Sequence, residues 1–184
     1  MPPPSSSPAT IQRKTLKQHP DSRSAAIQAI EIDITRERHR LVLCYRIIGA
    51  LADVKRPPPG APERADNLWR TTCFEAFLAT DDGGYYELNF SPSTEWAVYR
   101  FDGYRAGMRP SDDLGAPSIA VAVDTDSYEL LAAFGTRSNA TRLGLCAIIE
   151  EANGTKSYWA LAHPERQPDF HHAKTFALDL SEQA

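Results

Sequence analysis

The stretch CFEAFLATDDGGYYELNF, residues 73–90, decides the fold because two strand-like runs flank one short turn. A three-residue loop at positions 81–83 pairs Phe74 with Phe90 and makes one face of the ribbon entirely apolar. A two-residue loop would shift the register by one residue and mix charged with apolar side chains, so the pattern favours the longer loop. The second face of the predicted hairpin carries Cys73, Glu75, Phe77 and Ala79 against Tyr85, Glu87 and Asn89.

The run EWAVYRF, residues 95–101, predicts a third strand beside this hairpin. Its alternation fits best with Ala97, Tyr99 and Phe101 on the apolar face. The polar face then gains Trp96, Val98, Arg100 and Asp102. Two interpretations of the polar face stay open. It is either a solvated surface with a Glu–Arg cross-strand pair, or a concave surface that binds a polar ligand beside aromatic rings.

Short alternating runs recur along the rest of the chain. In AIEIDIT, residues 29–35, isoleucines alternate with acidic residues, and the run RLVLCYRIIGAL, residues 40–51, follows a polar turn. The proline-rich stretch DVKRPPPGAPERADN, residues 53–67, predicts a long surface loop. About ten short strands separated by polar turns indicate an all-β fold, an antiparallel β-sandwich.

A second hairpin is predicted in EEANGTKSYW, residues 150–159. Asn-Gly between two apolar runs is typical of a type I′ turn, because both central residues of that turn need positive φ. A two-residue loop at Asn153 and Gly154 pairs Ile148 with Trp159 across the ribbon.

The composition, 42% hydrophobic and 24% charged residues in a chain of 184, is typical of one globular domain. The net charge of -4 argues against nucleic-acid binding, and no apolar run is long enough to span a bilayer. The Pro/Ser-rich start predicts a mobile tail over residues 1–20, without a secretory signal, and a folded domain over residues 21–184. Three separated cysteines, Cys44, Cys73 and Cys146, favour free thiols and a cytoplasmic location.

The chain resembles the bacterial DOMON-like proteins, which are related to family 9 carbohydrate-binding modules, over residues 22–181. The resemblance lies in DNLWRTTCFEAFLA (66–79), GGYYELNFSPSTEWAVYRFDGYR (83–105) and LGLCAIIEEANGTKSYWALAHPERQPDFHHAKTFALDL (143–180). It implies an immunoglobulin-like or jelly-roll β-sandwich. It also implies a binding role without catalysis, because related members bind sugars or haem.

In family 9 modules a tryptophan six residues before a binding glutamate stacks on the sugar, and Trp69 and Glu75 reproduce that spacing. The resemblance also implies that Arg100 contacts the ligand. The second tryptophan of the family has no clear counterpart: Trp159 is the available indole, although its mid-strand position favours a core residue, and Phe170 is a weaker substitute. Aromatic faces suit the C–H groups of a sugar, and Glu, Asn and Arg suit its hydroxyls. We therefore expect a carbohydrate-like ligand at Trp69, Glu75, Glu87, Asn89, Arg100 and Trp159.

Other ligand classes stay open, although no cofactor is expected. The loop AHPERQPDFHH, residues 162–172, concentrates His163, Asp169, His171 and His172, residue types that ligate zinc and similar ions. Haem is the second class that the resemblance raises, because DOMON cytochromes hold it between Met and His. Met108 with His163 or His171 is the candidate pair here.

Two further function classes compete with ligand binding. Glu75 and Glu87 on neighbouring strands have the residue types of an acid–base pair in glycoside chemistry. The loop RPPPGAP, residues 56–62, or an exposed sheet edge would serve a protein-interaction module. The sequence favours binding over catalysis, since no nucleophile with a base and an orienting group is evident.

Overall fold

Alternating side chains and polar turns give the described residues of this protein strands of 2 to 11 residues and three single 3-10 turns. The computed structural model describes residues 10–37, 39–124 and 127–180. Within them the strands are β1 (Thr10–Thr15), β2 (Lys17–Gln18), β3 (Ile27–Glu37), β4 (Arg40–Gly49), β5 (Cys73–Thr80), β6 (Tyr85–Phe90), β7 (Trp96–Phe101), β8 (Arg109–Pro110), β9 (Ser118–Val123), β10 (Ser127–Gly135), β11 (Ala140–Glu150), β12 (Lys156–Ala160) and β13 (Leu178–Asp179). The 3-10 turns are Leu51–Asp53, Leu68–Arg70 and Ala173–Thr175.

The strands form two antiparallel sheets that pack face to face, which confirms the predicted all-β sandwich. The small sheet has five strands in the order β1-β3-β4-β10-β9. The large sheet has eight, in the order β2-β12-β11-β5-β6-β7-β8 with β13 beside β11. The main core fills the space between the sheets, where Tyr45 of the small sheet contacts Phe74 of the large sheet at a ring distance of 5.0 Å.

The small sheet buries one face only. Ile30, Ile32 and Ile34 point into the core, as the alternation predicted. Glu31 and Asp33 lie on the opposite face, which is partly solvated. This sheet therefore follows the usual pattern of an antiparallel sheet with one buried and one solvated face.

The large sheet buries both faces. Phe74 and Leu78 of β5 enter the main core, whereas Phe77 of the same strand is equally buried on the outer side. A second apolar cluster covers that outer face and includes Leu68, Phe170 and Phe176, Cys146 and Ile148. Because loops as well as strands contribute to the cluster, the outer face is covered, and the predicted solvated surface is wrong.

The hairpin of β5 and β6 has the predicted register. Phe74 pairs with Phe90 and Glu75 with Asn89, and the loop has three residues. Thr80 N–H donates to the Gly84 carbonyl at 3.0 Å, and Gly83 takes a φ of 85°, which a side chain would oppose.

The predicted register of β7 is wrong by one residue. Tyr86 pairs with Arg100, so Arg100 shares the inner face and Tyr99 joins Glu87 on the outer face. The turn between the strands sets this alignment, since Ser91 N–H donates to the Glu95 carbonyl at 3.0 Å. The alternation of apolar and polar residues does not determine this register, because both faces of the sheet are buried and apolar residues therefore suit either side.

The second predicted hairpin exists, but its loop has one residue more than expected. Ile148 pairs with Tyr158 and Ala147 with Trp159. Glu151 N–H donates to the Thr155 carbonyl at 2.8 Å, which leaves a three-residue loop before Thr155. The shift turns Trp159 into the main core and Tyr158 to the outer face.

The chain enters the fold earlier than predicted. Residues 10–20 are not a mobile tail, because β1 pairs with β3 and β2 pairs with β12. Residues 1–9 of the predicted tail lie outside the described residues. All three cysteines are free thiols, as expected. Across the described ranges, no helix has both the length and the apolar character that crossing a membrane requires.

Candidate functional site: a cavity on the outer face of the large sheet

A cavity of about 480 Å³ lies on the outer face of the large sheet. Its floor consists of side chains from neighbouring strands: Tyr158 of β12, Ile148 of β11, Glu75 of β5, Glu87 of β6 and Phe101 of β7. Its rim comes from three loops that contribute Asn67, Trp69, Arg105, Met108, Pro168, Phe170 and His171. Sites for small molecules are typically about 300–1,000 Å³, so the space suits one small ligand.

Local backbone geometry fixes two parts of the rim. Asn67 has a φ of 63° just before the turn Leu68–Arg70, and Arg105 has a φ of 52°. This conformation costs an arginine about 1–2 kcal/mol, whereas asparagine adopts it more readily. Trp69, in the first of these turns, is 47% exposed and stands at the mouth of the cavity.

Two carboxyl groups are buried in the floor. Glu75 is 3% exposed and Glu87 is 5% exposed, and the register makes them diagonal neighbours on one face, with backbones about 7–8 Å apart. Glu87 accepts a hydrogen bond from Asn89 Nδ2 at 2.7 Å. Among the described residues, none donates a hydrogen bond to the Glu75 carboxyl group. Glu75 is thus a buried acid whose polar end faces the cavity.

Burial changes the protonation of both acids. Desolvation, and then the charge of Glu87, raises the pKa of Glu75 well above its ordinary value of 4.5. Desolvation also raises the pKa of Glu87, although the hydrogen bond from Asn89 and the charge of Arg105 oppose the shift. The two groups therefore hold protons more tightly than solvent-exposed carboxyls do.

A hydrogen-bonded chain links the rim to the floor. The backbone N–H of Arg105 donates to Tyr85 Oη at 3.2 Å, and Tyr85 Oη lies 2.8 Å from His171 Nδ1. The Tyr85 hydroxyl proton is then free to point at Nδ1, which assigns the Nε2–H tautomer to His171. His171 Nε2 lies 3.6 Å from Glu87 Oε2, so this N–H faces the acid.

His171 is a neutral imidazole near pH 7. Desolvation, reinforced by Arg105 and opposed by Asp169, lowers its pKa from 6.5 to about 4. Its contact with Glu87 is therefore between a neutral ring and a carboxyl group, and it is no ion pair. The ring also packs at the edges of Phe77, 5.2 Å away between ring centres, and Phe101, also 5.2 Å away.

Asp169 joins two of the rim loops. Arg105 Nη2 donates to Asp169 Oδ1 at 2.8 Å, and Tyr104 Oη donates to the second carboxylate oxygen. The backbone N–H of His171 donates to Oδ1 at 3.1 Å. Desolvation by itself would raise the pKa of Asp169, but the hydrogen bonds from Tyr104 and Arg105 outweigh it and lower this pKa. The guanidinium of Arg105 is thus held by an ionised partner at the cavity wall.

The structure brings together three of the predicted ligand-binding residues. Trp69, Glu75 and Glu87 all line the cavity. Asn89 lies on the same face but does not line the cavity. It is 1% exposed and donates a hydrogen bond to Glu87. Phe170, the predicted weaker substitute for a second indole, also lines the cavity.

Arg100 and Trp159 lie on the inner side of the large sheet and line no part of the cavity, so the predicted registers put both side chains on the wrong face. Arg100 donates to both carboxylate oxygens of Asp82, at 2.8 and 2.7 Å, and stacks 4.8 Å from the centre of the Tyr86 ring. Trp159 is 4% exposed in the main core, where its Nε1 donates to Ser157 Oγ at 2.9 Å. Both errors follow from the one-residue register shifts described above.

Six cavity residues were missing from the predicted site: Asn67, Phe101, Arg105, Ile148, Tyr158 and Pro168. Phe101 and Tyr158 reach the outer face through the same register shifts that remove Arg100 and Trp159. Arg105 lies in an irregular loop without periodicity. The local sequence signal was a cluster of glycine and charged residues, DGYRAG, directly after a strand.

The residues predicted as metal ligands are engaged separately. His163 Nε2 lies 2.7 Å from the Lys17 carbonyl oxygen, and His172 Nδ1 accepts from Lys174 N–H at the start of a 3-10 turn. In the described parts of the chain, no group of three or more His, Cys, Asp and Glu side chains is placed to hold a metal ion.

The arrangement does not fit the predicted haem ligation. Met108 and His171 do line the same cavity. Both ring nitrogens of His171, however, face protein partners, Tyr85 Oη and Glu87 Oε2. An axial bond would have to replace one of these contacts.

Comparisons with known proteins support the fold. No protein-family model matches the chain, and no curated protein is significantly similar to it. Among solved structures, it is similar to a "putative carbohydrate-binding protein" from Bacteroides uniformis, with a TM-score of 0.62 at 14% sequence identity. The likeness covers 90% of this chain and 84% of that one. The two proteins share a fold.

Proposed function

We propose that the cavity binds a carbohydrate-like small molecule and that the protein performs no catalysis. The observation that carries this proposal is the meeting of aromatic and acidic groups in one partly open space. Glu75 and Glu87 lie in its floor, and Trp69 and Phe170 lie around its rim. A sugar has apolar C–H faces and a ring of hydroxyl groups, so it uses both kinds of surface.

Each part of the cavity has a role in this proposal. Trp69, half-exposed at the mouth, offers an indole face on which a pyranose stacks. Glu75 is an acceptor or donor without a protein partner, so a hydroxyl group of the ligand supplies the hydrogen bond that burial otherwise denies it. Arg105, which uses one guanidinium nitrogen for Asp169, adds further donors at the rim.

A DOMON-like identity related to family 9 carbohydrate-binding modules is part of the same proposal. The spacing of Trp69 and Glu75 supports it, because both side chains line the cavity. The Bacteroides uniformis protein, whose description names carbohydrate binding, adds support at the level of the fold. A cytoplasmic setting is proposed from the buried free thiols of Cys73 and Cys146, and a net charge of -4 gives a nucleic-acid ligand no support.

Glycoside hydrolysis is the alternative function that the same two acids raise. A glycosidase needs one carboxylate ionised as nucleophile or base while the other is protonated. Here burial raises the pKa of both Glu75 and Glu87. If turnover of aryl glycosides were found and Glu75→Gln abolished it, the non-catalytic role would be contradicted.

The test is calorimetry with a panel of monosaccharides and disaccharides. We expect binding that Trp69→Ala weakens about tenfold or more, because a stacked aromatic anchor contributes roughly 1–3 kcal/mol. The control is Leu131→Ala, which removes a 42%-exposed apolar side chain from the small sheet and should leave the affinity unchanged. Equal affinities of Trp69→Ala and the unmodified protein would contradict the proposal.

A further inference from the structure

The charges that face the cavity are unbalanced. Glu75 and Glu87 place two acids in the floor. The Arg105 guanidinium is paired with Asp169 at 2.8 Å, and the rest of its charge acts on Glu87 at a distance. The His171 ring beside Glu87 is neutral. Within the described residues, neither floor acid forms an ion pair with a lysine or arginine side chain.

Two acids on the small sheet have cationic partners. Asp33 on the small sheet is bonded to Arg13 at 2.6 Å, and Glu129 is bonded to Arg46 at 2.6 Å. Glu75 differs in kind, because it is 3% exposed and no described residue donates to its carboxyl group. Burying such a group without a partner is unfavourable, and a bound ligand would relieve that cost.

The groups around the acids suit an organic cation. Phe101, Tyr158 and Phe170 line the cavity, together with the exposed indole of Trp69. Aromatic faces attract ammonium groups through the ring quadrupole, and the attraction is strongest where water is excluded. A carboxylate at the base of an aromatic pocket adds a charged acceptor for the same N–H groups.

We infer that the ligand of this cavity carries a protonated amine, which the carboxylates of Glu75 and Glu87 hold against the aromatic wall. The inference rests on the proposed function for the sugar part of the ligand, so its occupant is an amino sugar. A neutral sugar would leave Glu75 protonated and without an ionic partner. An amino sugar fills the stacking surface and supplies the missing cation at once.

Binding of an amine should also change the protonation of Glu75. Glu87, Arg105, Tyr158 and His171 line the cavity with Glu75, and the other titratable groups that interact with it are Tyr45, Cys73 and Cys146. Since its pKa is raised in the unliganded protein, a bound ammonium group must displace a proton from the pair. Binding of the amine therefore releases protons and weakens as the pH is lowered from 7 to 5.

The experiment compares three hexosamines with their parent hexoses by calorimetry at pH 7. The probes are D-glucosamine, D-galactosamine and D-mannosamine against D-glucose, D-galactose and D-mannose, with N-acetyl-D-glucosamine as a neutral amide. We expect at least one hexosamine to bind tenfold or more tightly than its parent hexose and its acetylated form. Titration in two buffers of different ionisation heat should show proton release.

Charge variants locate the effect. Glu75→Gln keeps the size of the side chain and removes its charge, so it should abolish the preference for the amine. Glu87→Gln, which can still accept from Asn89, should reduce it. Glu37→Gln is the charge-matched control, because this exposed acid lies on the small sheet. Melting curves verify that each variant is folded.

The outcomes separate the inference from the proposed function. If parent hexoses bind as tightly as hexosamines, or if the preference survives Glu75→Gln and Glu87→Gln, the amine inference is wrong and sugar binding stands. If no sugar binds but cyclohexylammonium binds and cyclohexanol does not, the cation site is supported and the carbohydrate proposal fails. Binding of none of these probes contradicts both.

Discussion

The outer faces of the two sheets differ in their exposure to solvent. The small sheet alternates buried and partly exposed positions along β3 and β4, so its outer face meets water. The large sheet is buried on both sides along β5 and β6. The difference shows where a binding site can form, because only the second arrangement encloses a cavity between a sheet and its covering loops.

Acids on the two outer faces illustrate the consequence. Asp33 on the small sheet accepts hydrogen bonds from Arg13, which lower its pKa. Glu75 on the large sheet has no such donor among the described residues, and desolvation raises its pKa. Acidic side chains thus form a surface ion pair on one sheet and a buried cavity group with a raised pKa on the other.

The largest expected effect tests whether the outer face of the large sheet is a real core. Phe77 is fully buried there, so Phe77→Ala should lower the free energy of unfolding by about 3–5 kcal/mol. Leu131→Ala, on the outer face of the small sheet, should change it by under about 1 kcal/mol. Urea denaturation measures both. A small loss for Phe77→Ala would mean that the loops do not cover this face.

The second prediction concerns pH. Because the folded pKa of His171 is about 4 and the ordinary value is 6.5, its contribution to stability is present above pH 6.5 and is lost as the pH falls towards 4. The change is about 3 kcal/mol at most. His171→Gln should remove it, as unfolding free energies between pH 7 and 4 will show.

Glu75 should behave in the opposite way. Its folded pKa is raised, so its contribution is present below pH 4.5 and is lost as the pH rises through the folded pKa. Glu75→Gln should therefore gain stability relative to the unmodified protein as the pH rises. If the two variants shifted the pH profile in the same direction, the difference between these two groups would be refuted.

The third prediction separates two arginines. Arg100 bonds to Asp82 and Thr80 on the core side of the large sheet, so Arg100→Met should lower the free energy of unfolding by about 2 kcal/mol. Its effect on sugar affinity should be negligible. Arg105→Met should instead weaken the affinity more than the stability. Calorimetry and urea denaturation on both variants decide the matter, and the reverse result would restore Arg100 as a ligand contact.

The smallest effect concerns the hairpin loops. Gly83 and Gly154 have φ values of 85° and 86°, which an alanine adopts only at a cost of about 1 kcal/mol. Each Gly→Ala change should lower the free energy of unfolding by that amount. Gly103→Ala, at a glycine with no positive φ and open space around it, is the control. No loss at Gly154 would favour a different loop geometry in the second hairpin.

The sequence predicted the sandwich and one hairpin register, because alternation across the β5–β6 loop had only one consistent solution. It also identified Trp69, Glu75 and Glu87 as cavity residues. It failed where both faces are apolar, since a shift of one residue then changes no pattern. Such shifts put Phe101 on the outer face in place of Arg100, and Tyr158 in place of Trp159. Arg105 was missed because an irregular loop carries it to the rim.

The most direct test uses the indole N–H signals of the three tryptophans in a ¹H–¹⁵N NMR spectrum. Trp69 lies at the mouth of the cavity, whereas Trp159 is in the main core and Trp96 packs against it. On titration with the sugar that binds best, the Trp69 signal should shift strongly while the other two stay nearly unchanged. A shift confined to Trp96 or Trp159, with Trp69 unmoved, would contradict the assignment of the outer face as the binding face.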